Sequence, residues 1–234
     1  MAGIGGLAIW WGGLVFGALV ALAVGAVVWE MTAMLAPEAP ALARGAGALA
    51  ALVVLAAGFV SGLYALALIV ATALTLPARL PVAGERGRYG VYLAWVLLAG
   101  YGLTALRVEA GMGKILWLVS VVVATDIAGY FAGRLIGGPK FWPRVSPKKT
   151  WAGTVAGWLA AGLIGLIWGG AWMAVLSALL AFASQMGDAA ESALKRHTGI
   201  KDSSNLIPGH GGVFDRFDAL LGAALVLTVI GVLG

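Results

Sequence analysis

Apolar residues run through this chain in long blocks, and polar positions collect in the gaps between them. The blocks lie at roughly 8–33, 43–59, 61–78, 90–106, 114–133, 152–169, 171–187 and 219–234. Most are about 16 to 25 residues long, the length a helix needs to cross the hydrocarbon core of a bilayer. Closed β-barrels also satisfy backbone polar groups in lipid, but their strands alternate strictly, and these Ala/Leu/Val/Gly runs do not. The pattern predicts an all-α fold, a polytopic membrane helical bundle of about eight transmembrane helices, with about seven to nine as the range. Between Gly58 and Gly62 a continuous apolar run must turn, kink or tilt, and the last block reaches across only with tilt or local thinning of the bilayer.

Composition sharpens this. With 62% hydrophobic and 11% charged residues the chain is not an ordinary water-soluble globule. Cysteine is absent, which excludes a disulfide framework and any thiolate chemistry. The opening MAGIGG has no basic stretch, and its apolar run ends in Trp29-Glu30 rather than a small-residue cleavage site, so it is read as a retained helix. Glu30 is expected at the membrane interface, and Trp10, Trp11, Trp117 and Trp142 in aromatic belts. No soluble appendage or internal repeat is evident. Residues 1–234 are expected to form a single membrane domain, with N-terminal helices over 1–90 and the chemistry over 91–234.

Charge gives the expected orientation. Of the 15 lysines and arginines, all but Arg107 and Lys114 fall in loops on one side of an eight-span chain. Basic residues accumulate on the cytoplasmic side of short loops, so both termini are predicted on the non-cytoplasmic side. The net charge of +5 sits in short loops between apolar blocks. Anionic headgroups or phosphates are therefore the expected partners, and nucleic acid is not.

Against this apolar background the stretch from Asp188 to Asp218 stands apart, since it holds Asp188, Glu191, Asp202, Asp215 and Asp218, half of the chain's 10 acids, and both histidines. Ionisable groups beside a bilayer are costly unless paired, hydrated or bound to ions, which marks the stretch as a working site. On a helix, Ser184, Asp188, Glu191 and Lys195 form one polar stripe. Asp215 and Asp218 share a helical face, and oxygen ligands of this kind suit Mg²⁺. Pro208-Gly209-His210-Gly211-Gly212 allows a tight turn able to cradle phosphate. Lys195, Arg196, Lys201, Arg216 and the Lys148-Lys149 loop add the positive charge that phosphoryl chemistry needs. Each element alone has a plainer explanation: a bundle-lining polar face, a helix N-terminus stabilised by acids, a connecting turn, a topology-setting basic loop. Asp126, inside a predicted span, is either functional or paired with Arg134.

Taken together, Ser192, Leu194, Lys195, Arg196, Lys201, Asp202, Pro208, His210, Gly211, Gly212, Val213, Asp215, Arg216, Phe217 and Asp218 resemble the signature of the CDP-diacylglycerol synthases, or phosphatidate cytidylyltransferases. The likeness extends upstream through Ser184-Gln185, Gly187-Asp188, Ser146 to Trp151, and Asp126, Tyr130, Gly133 and Arg134. It covers about 90–234 well and the N-terminal third only by hydropathy. Ala152-Gly153 stands where relatives carry Glu-Gly. Ser204 and Asn205 replace commoner Gly and His and are expected to matter little. The family's first helix has no counterpart, the alignment beginning near Trp11-Gly12-Gly13.

The resemblance implies transfer of CMP from CTP to phosphatidic acid at the cytoplasmic face of a bacterial inner membrane. It implies Mg²⁺ on Asp188, Asp215 and Asp218, with a second cation left open. Asp202 and Lys201 would complete the catalytic set. Lys195, Arg196, Arg216, Ser192, Gly211, Gly212, Lys148 and Lys149 would bind substrate phosphates, and His210 would order its loop. A homodimer is left open. A CTP-dependent polyprenol or dolichol kinase is the alternative enzyme, and a secondary transporter using Asp126 and Asp188 is the alternative of another class. The motif of CDP-alcohol phosphotransferases is absent.

Overall fold

The computed structural model describes residues 2–143, 145–209 and 211–233. The chain is a polytopic helical membrane protein, and its helices follow the apolar blocks. Helix α1 (Ala2–Trp11) breaks at Gly12 from α2 (Gly13–Leu35), dividing the first predicted block. There follow α3 (Pro40–Ala57), α4 (Gly62–Thr75), α5 (Arg86–Glu109), α6 (Gly111–Leu135), α7 (Trp151–Thr198) and α8 (Phe214–Leu233). The run through Gly58 to Gly62 turns, separating α3 from α4. Among the described residues six helical stretches are long and apolar enough to cross a membrane: Gly13–Leu35, Pro40–Ala57, Gly62–Arg79, Ala83–Glu109, Gly111–Leu135 and Trp151–Thr198.

The 48 residues of α7 are two arms. At Gly170 the backbone takes φ 76°, ψ −162°, a conformation that a side chain rarely tolerates, and the helix stops and reverses there. The arms 151–168 and 171–198 then run antiparallel, as contacts across the turn show: the Gln185 side chain donates to the Thr154 carbonyl at 3.3 Å and accepts from Trp158 Nε1 at 2.9 Å. The polar stripe predicted from 184 to 195 lies on the second arm.

One departure from an all-helical reading bears on the site. Between α6 and α7, β1 (Lys140–Trp142) and β2 (Ser146–Thr150) form an antiparallel hairpin with Lys140 opposite Thr150. The segment is too short and polar to bury a helical face, whereas pairing satisfies its backbone. Phe141 and Trp151 pack edge to face with centroids 4.8 Å apart, and the Thr150 hydroxyl accepts from the Gly153 amide at 3.2 Å, capping α7. The hairpin thereby fixes where Lys148 and Lys149 project.

Helix α5 packs between the two halves of the bundle, touching α2, α3, α4, α6 and α8. Its Tyr92 hydroxyl donates to the Ala190 carbonyl at 2.6 Å, and Trp95 Nε1 donates to the Leu221 carbonyl at 3.0 Å. Both contacts pin α7 and α8 just beside their polar ends. Trp10, Trp11 and Trp142 are exposed, in keeping with interfacial residues, but Trp117 is not: it is 1% exposed and donates to Ser177 Oγ at 2.9 Å. An indole with a buried partner belongs to the core.

Candidate active site

The second arm of α7 and the start of α8 touch where each carries a glycine. A Cβ on Gly187 would run into the Asp218 carbonyl oxygen and sit 3.0 Å from Gly222 Cα; one on Gly222 would collide with the Ala183 carbonyl. With only hydrogens between the backbones, Asp188 and Glu191 on α7 come opposite Asp218 on α8. One carboxylate oxygen from each of the three lies within 4.8 Å of the others.

Two lysines bracket this trio. From the hairpin, Lys149 Nζ reaches Asp188 Oδ2 at 2.5 Å and the Gln185 carbonyl at 3.2 Å. On the other side Lys195 Nζ lies 2.5 Å from Asp215 Oδ1 and 2.7 Å from Glu191 Oε1. The second approach is close but not along a hydrogen-bonding direction, so Glu191 Oε1, on a side chain 1% exposed, has no hydrogen-bond donor among the described residues. The Lys195 ammonium at 2.7 Å is the cation that meets this buried oxygen.

The metal trio expected from the sequence, Asp188, Asp215 and Asp218, is therefore not the trio that meets. Asp215 spends its oxygens elsewhere: Oδ1 on Lys195, and Oδ2 on the Ser203 amide at 2.8 Å, the Ser203 hydroxyl at 2.7 Å and the Gly212 amide at 2.8 Å. Asp215 lies ahead of the apolar part of α8. Burial alone would raise its pKa, but the Lys195 ammonium and the hydrogen bonds around it hold the carboxyl well below the usual range. It is an anion that folds the 199–213 loop, and the carboxylate found beside Asp188 and Asp218 is that of Glu191. Asp215→Asn, which puts an amide where three donors converge, is expected to lower activity about 100-fold, since a displacement near 1 Å is worth that much. Kinetics on purified variant and wild type check it.

The other expected site residues are distributed around this centre. Ser192 Oγ is 3.4 Å from Asp188 Oδ1. Gly211 and Gly212 lie at the end of the loop, where a Cβ on Gly212 would strike Ser203 Oγ and Glu30 Oε1. Lys201, Asp202, Arg196 and Arg216 are exposed. His210 lies outside the described residues. Lys148 and Lys149 belong to a cleft of about 530 Å³ between α6, the hairpin and α7, lined also by Asp126, Tyr130, Arg134 and Gln185. Asp126 does not pair with Arg134 as the spacing suggested; Arg134 donates to the Tyr130 hydroxyl at 2.9 Å instead, and no ion pair links it to Asp126 among the described residues.

Two residues were underestimated. Glu30, expected at the interface, is 0% exposed. It accepts from Ser203 Oγ at 3.0 Å, Ser204 Oγ at 2.6 Å, the Val213 amide at 2.8 Å and the Phe214 amide at 2.7 Å. Ser204, expected to matter little, is one of those donors. The only local signal for Glu30 was a carboxylate ending an apolar run; nothing nearby in sequence announces partners more than 170 positions away.

Comparison with known proteins identifies a family. The model of the family described as Cytidylyltransferase family matches residues 1–233. The match reaches the first residue, so the N-terminal helices share the likeness seen from about residue 90 onward. A phosphatidate cytidylyltransferase of Brucella suis is 45% identical over 155 residues, 62% of this chain and 57% of that protein. One of Helicobacter pylori is 39% identical over 156 residues, 62% of this chain and 58% of its own length. One of Mycobacterium leprae is 39% identical over 142 residues, 57% and 45% of the two chains. The chain thus spans less than two thirds of the curated relatives it matches.

Proposed function

The chain belongs to the cytidylyltransferase family, and we propose that it transfers CMP from CTP to phosphatidic acid, releasing pyrophosphate and forming CDP-diacylglycerol. The observation that carries this reading is the Asp188, Glu191 and Asp218 trio, held between Lys149 and Lys195 where the second arm of α7 meets the start of α8. The names of the similar bacterial proteins supply the lipid.

The donor set fits Mg²⁺: three carboxylates that offer oxygen ligands, with no nitrogen or sulfur ligand among them. Asp188, Glu191 and Asp218 would hold the ion, which when bound neutralises phosphate charge and orients the triphosphate. The remaining chemistry falls to the protein. An oxygen of the lipid phosphate monoester attacks the α-phosphorus of CTP; the new P–O bond forms as the bond from that phosphorus to the bridging oxygen breaks, and pyrophosphate leaves with that electron pair. The nucleophile is already an anion, so no strong general base is needed. What is needed is cationic positioning of two anions that repel each other. Lys149, Lys148 and Arg134 line the cleft on the α6 side and suit the lipid phosphate; Lys195, Lys201, Arg196 and Arg216 stand on the loop side and suit the triphosphate. Asp202 suits a second cation, and His210 an ordering role in its loop.

The placement of basic loops supports a cytoplasmic active site in a bacterial inner membrane, with about eight spans once α7 is counted as two arms and α8 is included. Membranes holding the protein, given phosphatidic acid and CTP labelled at the α-phosphate, are expected to place the label in the lipid. A polyprenol kinase would transfer only the γ-phosphoryl group. Unlabelled lipid from correctly folded protein would end the proposal.

A further inference from the structure

We infer that Glu30 of α2 is a positioning residue for the active site, setting the first turn of α8 and with it Asp218. The inference rests on the proposed cytidylyl transfer and adds a residue from the opposite half of the chain.

Glu30 is a fully buried carboxylate whose two oxygens each accept one backbone amide and one serine hydroxyl. Its amide partners, Val213 and Phe214, stand at the N-terminus of α8, where unsatisfied N–H groups and the helix dipole favour an anion. The hydroxyl partners, Ser203 and Ser204, belong to the loop between α7 and α8. One carboxylate thus ties both ends of that loop to α2. Phe214, the first residue of α8, is itself fully buried and packs at a tilt against Trp95 of α5, with centroids 5.9 Å apart.

The consequence is geometric. Asp215 and Asp218 follow closely on the Val213 and Phe214 amides that Glu30 holds. Ser203 Oγ lies 3.0 Å from Glu30 Oε2 and 2.7 Å from Asp215 Oδ2, so its one proton is divided between the two carboxylates and couples them. Rotation of the first turn of α8 would carry Asp218 away from Asp188 and Glu191 while leaving the apolar remainder of the helix in the bundle. A glutamine at position 30 keeps the size but loses the charge, and its NH₂ cannot accept where an amide and a hydroxyl both donate.

The test uses the full chain in detergent or nanodiscs, with Glu30→Gln and the milder Ser204→Ala beside wild type. Glu30→Gln is expected to lower kcat about 100-fold and to raise the Mg²⁺ concentration for half-maximal rate about tenfold, as expected when a ligand carboxylate is misaligned. Ser204→Ala is expected to shift the Mg²⁺ midpoint in the same direction by a smaller factor. Hydrogen exchange, independent of activity, is expected to speed up in the peptide over 203–217 and not in α5. Unchanged kcat and Mg²⁺ midpoint in folded Glu30→Gln would overturn the inference. So would a loss of rate with an unchanged midpoint, since a purely structural role lowers the active fraction alone. Should Glu30→Gln not fold, an unchanged midpoint in Ser204→Ala overturns it. Wild type failing to label lipid would refute the proposed reaction instead, and the exchange comparison would still decide the role of Glu30.

Discussion

Asp188→Asn is expected to reduce turnover by about 10³-fold or more, the order of effect seen when a charge-stabilising group is removed from a water-poor site. Asp188 is the point where three elements meet: it shares the carboxylate trio with Glu191 and Asp218, receives Lys149 from the hairpin, and lies near the Ser192 hydroxyl. An amide at this position halves its capacity to accept and removes the charge that pairs with Lys149. The fold has little stake in that charge, because Asp188 is only half-buried and the helix around it is held by Tyr92 and by the glycine contact with α8. Membrane insertion and detergent-extracted yield should therefore match wild type, while the rate with labelled CTP falls at every Mg²⁺ concentration. Rates within tenfold of wild type at saturating Mg²⁺ would remove Asp188 from the site. Glu191→Gln makes the sharper comparison, because it replaces a buried carboxylate that pairs with Lys195 and stands in the trio; it should lose activity comparably, although the sequence favours Asp215.

That reversal between Glu191 and Asp215 shows where reading the chain alone runs out. Periodicity placed Asp188, Glu191 and Lys195 on one face, which the second arm of α7 displays, and hydropathy marked most helices closely, although it missed the break at Gly12 and ended the second arm of α7 at 187 where the helix runs on to Thr198. Helix phase is local, and local patterns carry it. Partner choice is not local. Asp215 and Asp218 share a face of α8, and nothing in DRFD says that the loop just before it will turn the Gly212 amide and the Ser203 amide and hydroxyl onto Asp215. Glu30 fails for the same reason over a longer distance: its four donors come from 173 to 184 positions away. The hairpin went unpredicted because its strands are short and polar, so they lack the apolar alternation by which strands are recognised. Trp117 was assigned to a belt because amphipathic rings favour interfaces; the hydroxyl of Ser177 that lets it sink into the core is sixty residues on.

Gly187→Ala is expected to lower kcat about 100-fold while leaving insertion intact, although alanine is the better helix former. The reason lies in what the new methyl group would meet. Its nearest neighbours are the carbonyl oxygen of Asp218, Gly222 Cα at 3.0 Å and the Asp218 carbonyl carbon at 3.1 Å, all backbone. A rotamer change cannot relieve contact with backbone, so α7 and α8 must move apart, and the separation falls between Asp188 and Asp218. Overpacking of this kind typically costs about 1 to 3 kcal/mol, too little to unfold a bundle whose other helices remain packed. Gly162→Ala on the first arm provides the control, because a Cβ there meets only the Ala174 carbonyl at 3.7 Å, an ordinary contact; it should retain wild-type rate. If Gly187→Ala does too, the close approach of the two helices does not set the carboxylate spacing. A lowered rate with a raised Mg²⁺ midpoint in Gly187→Ala alone would tie the glycine contact, and not helix stability, to the geometry of the trio.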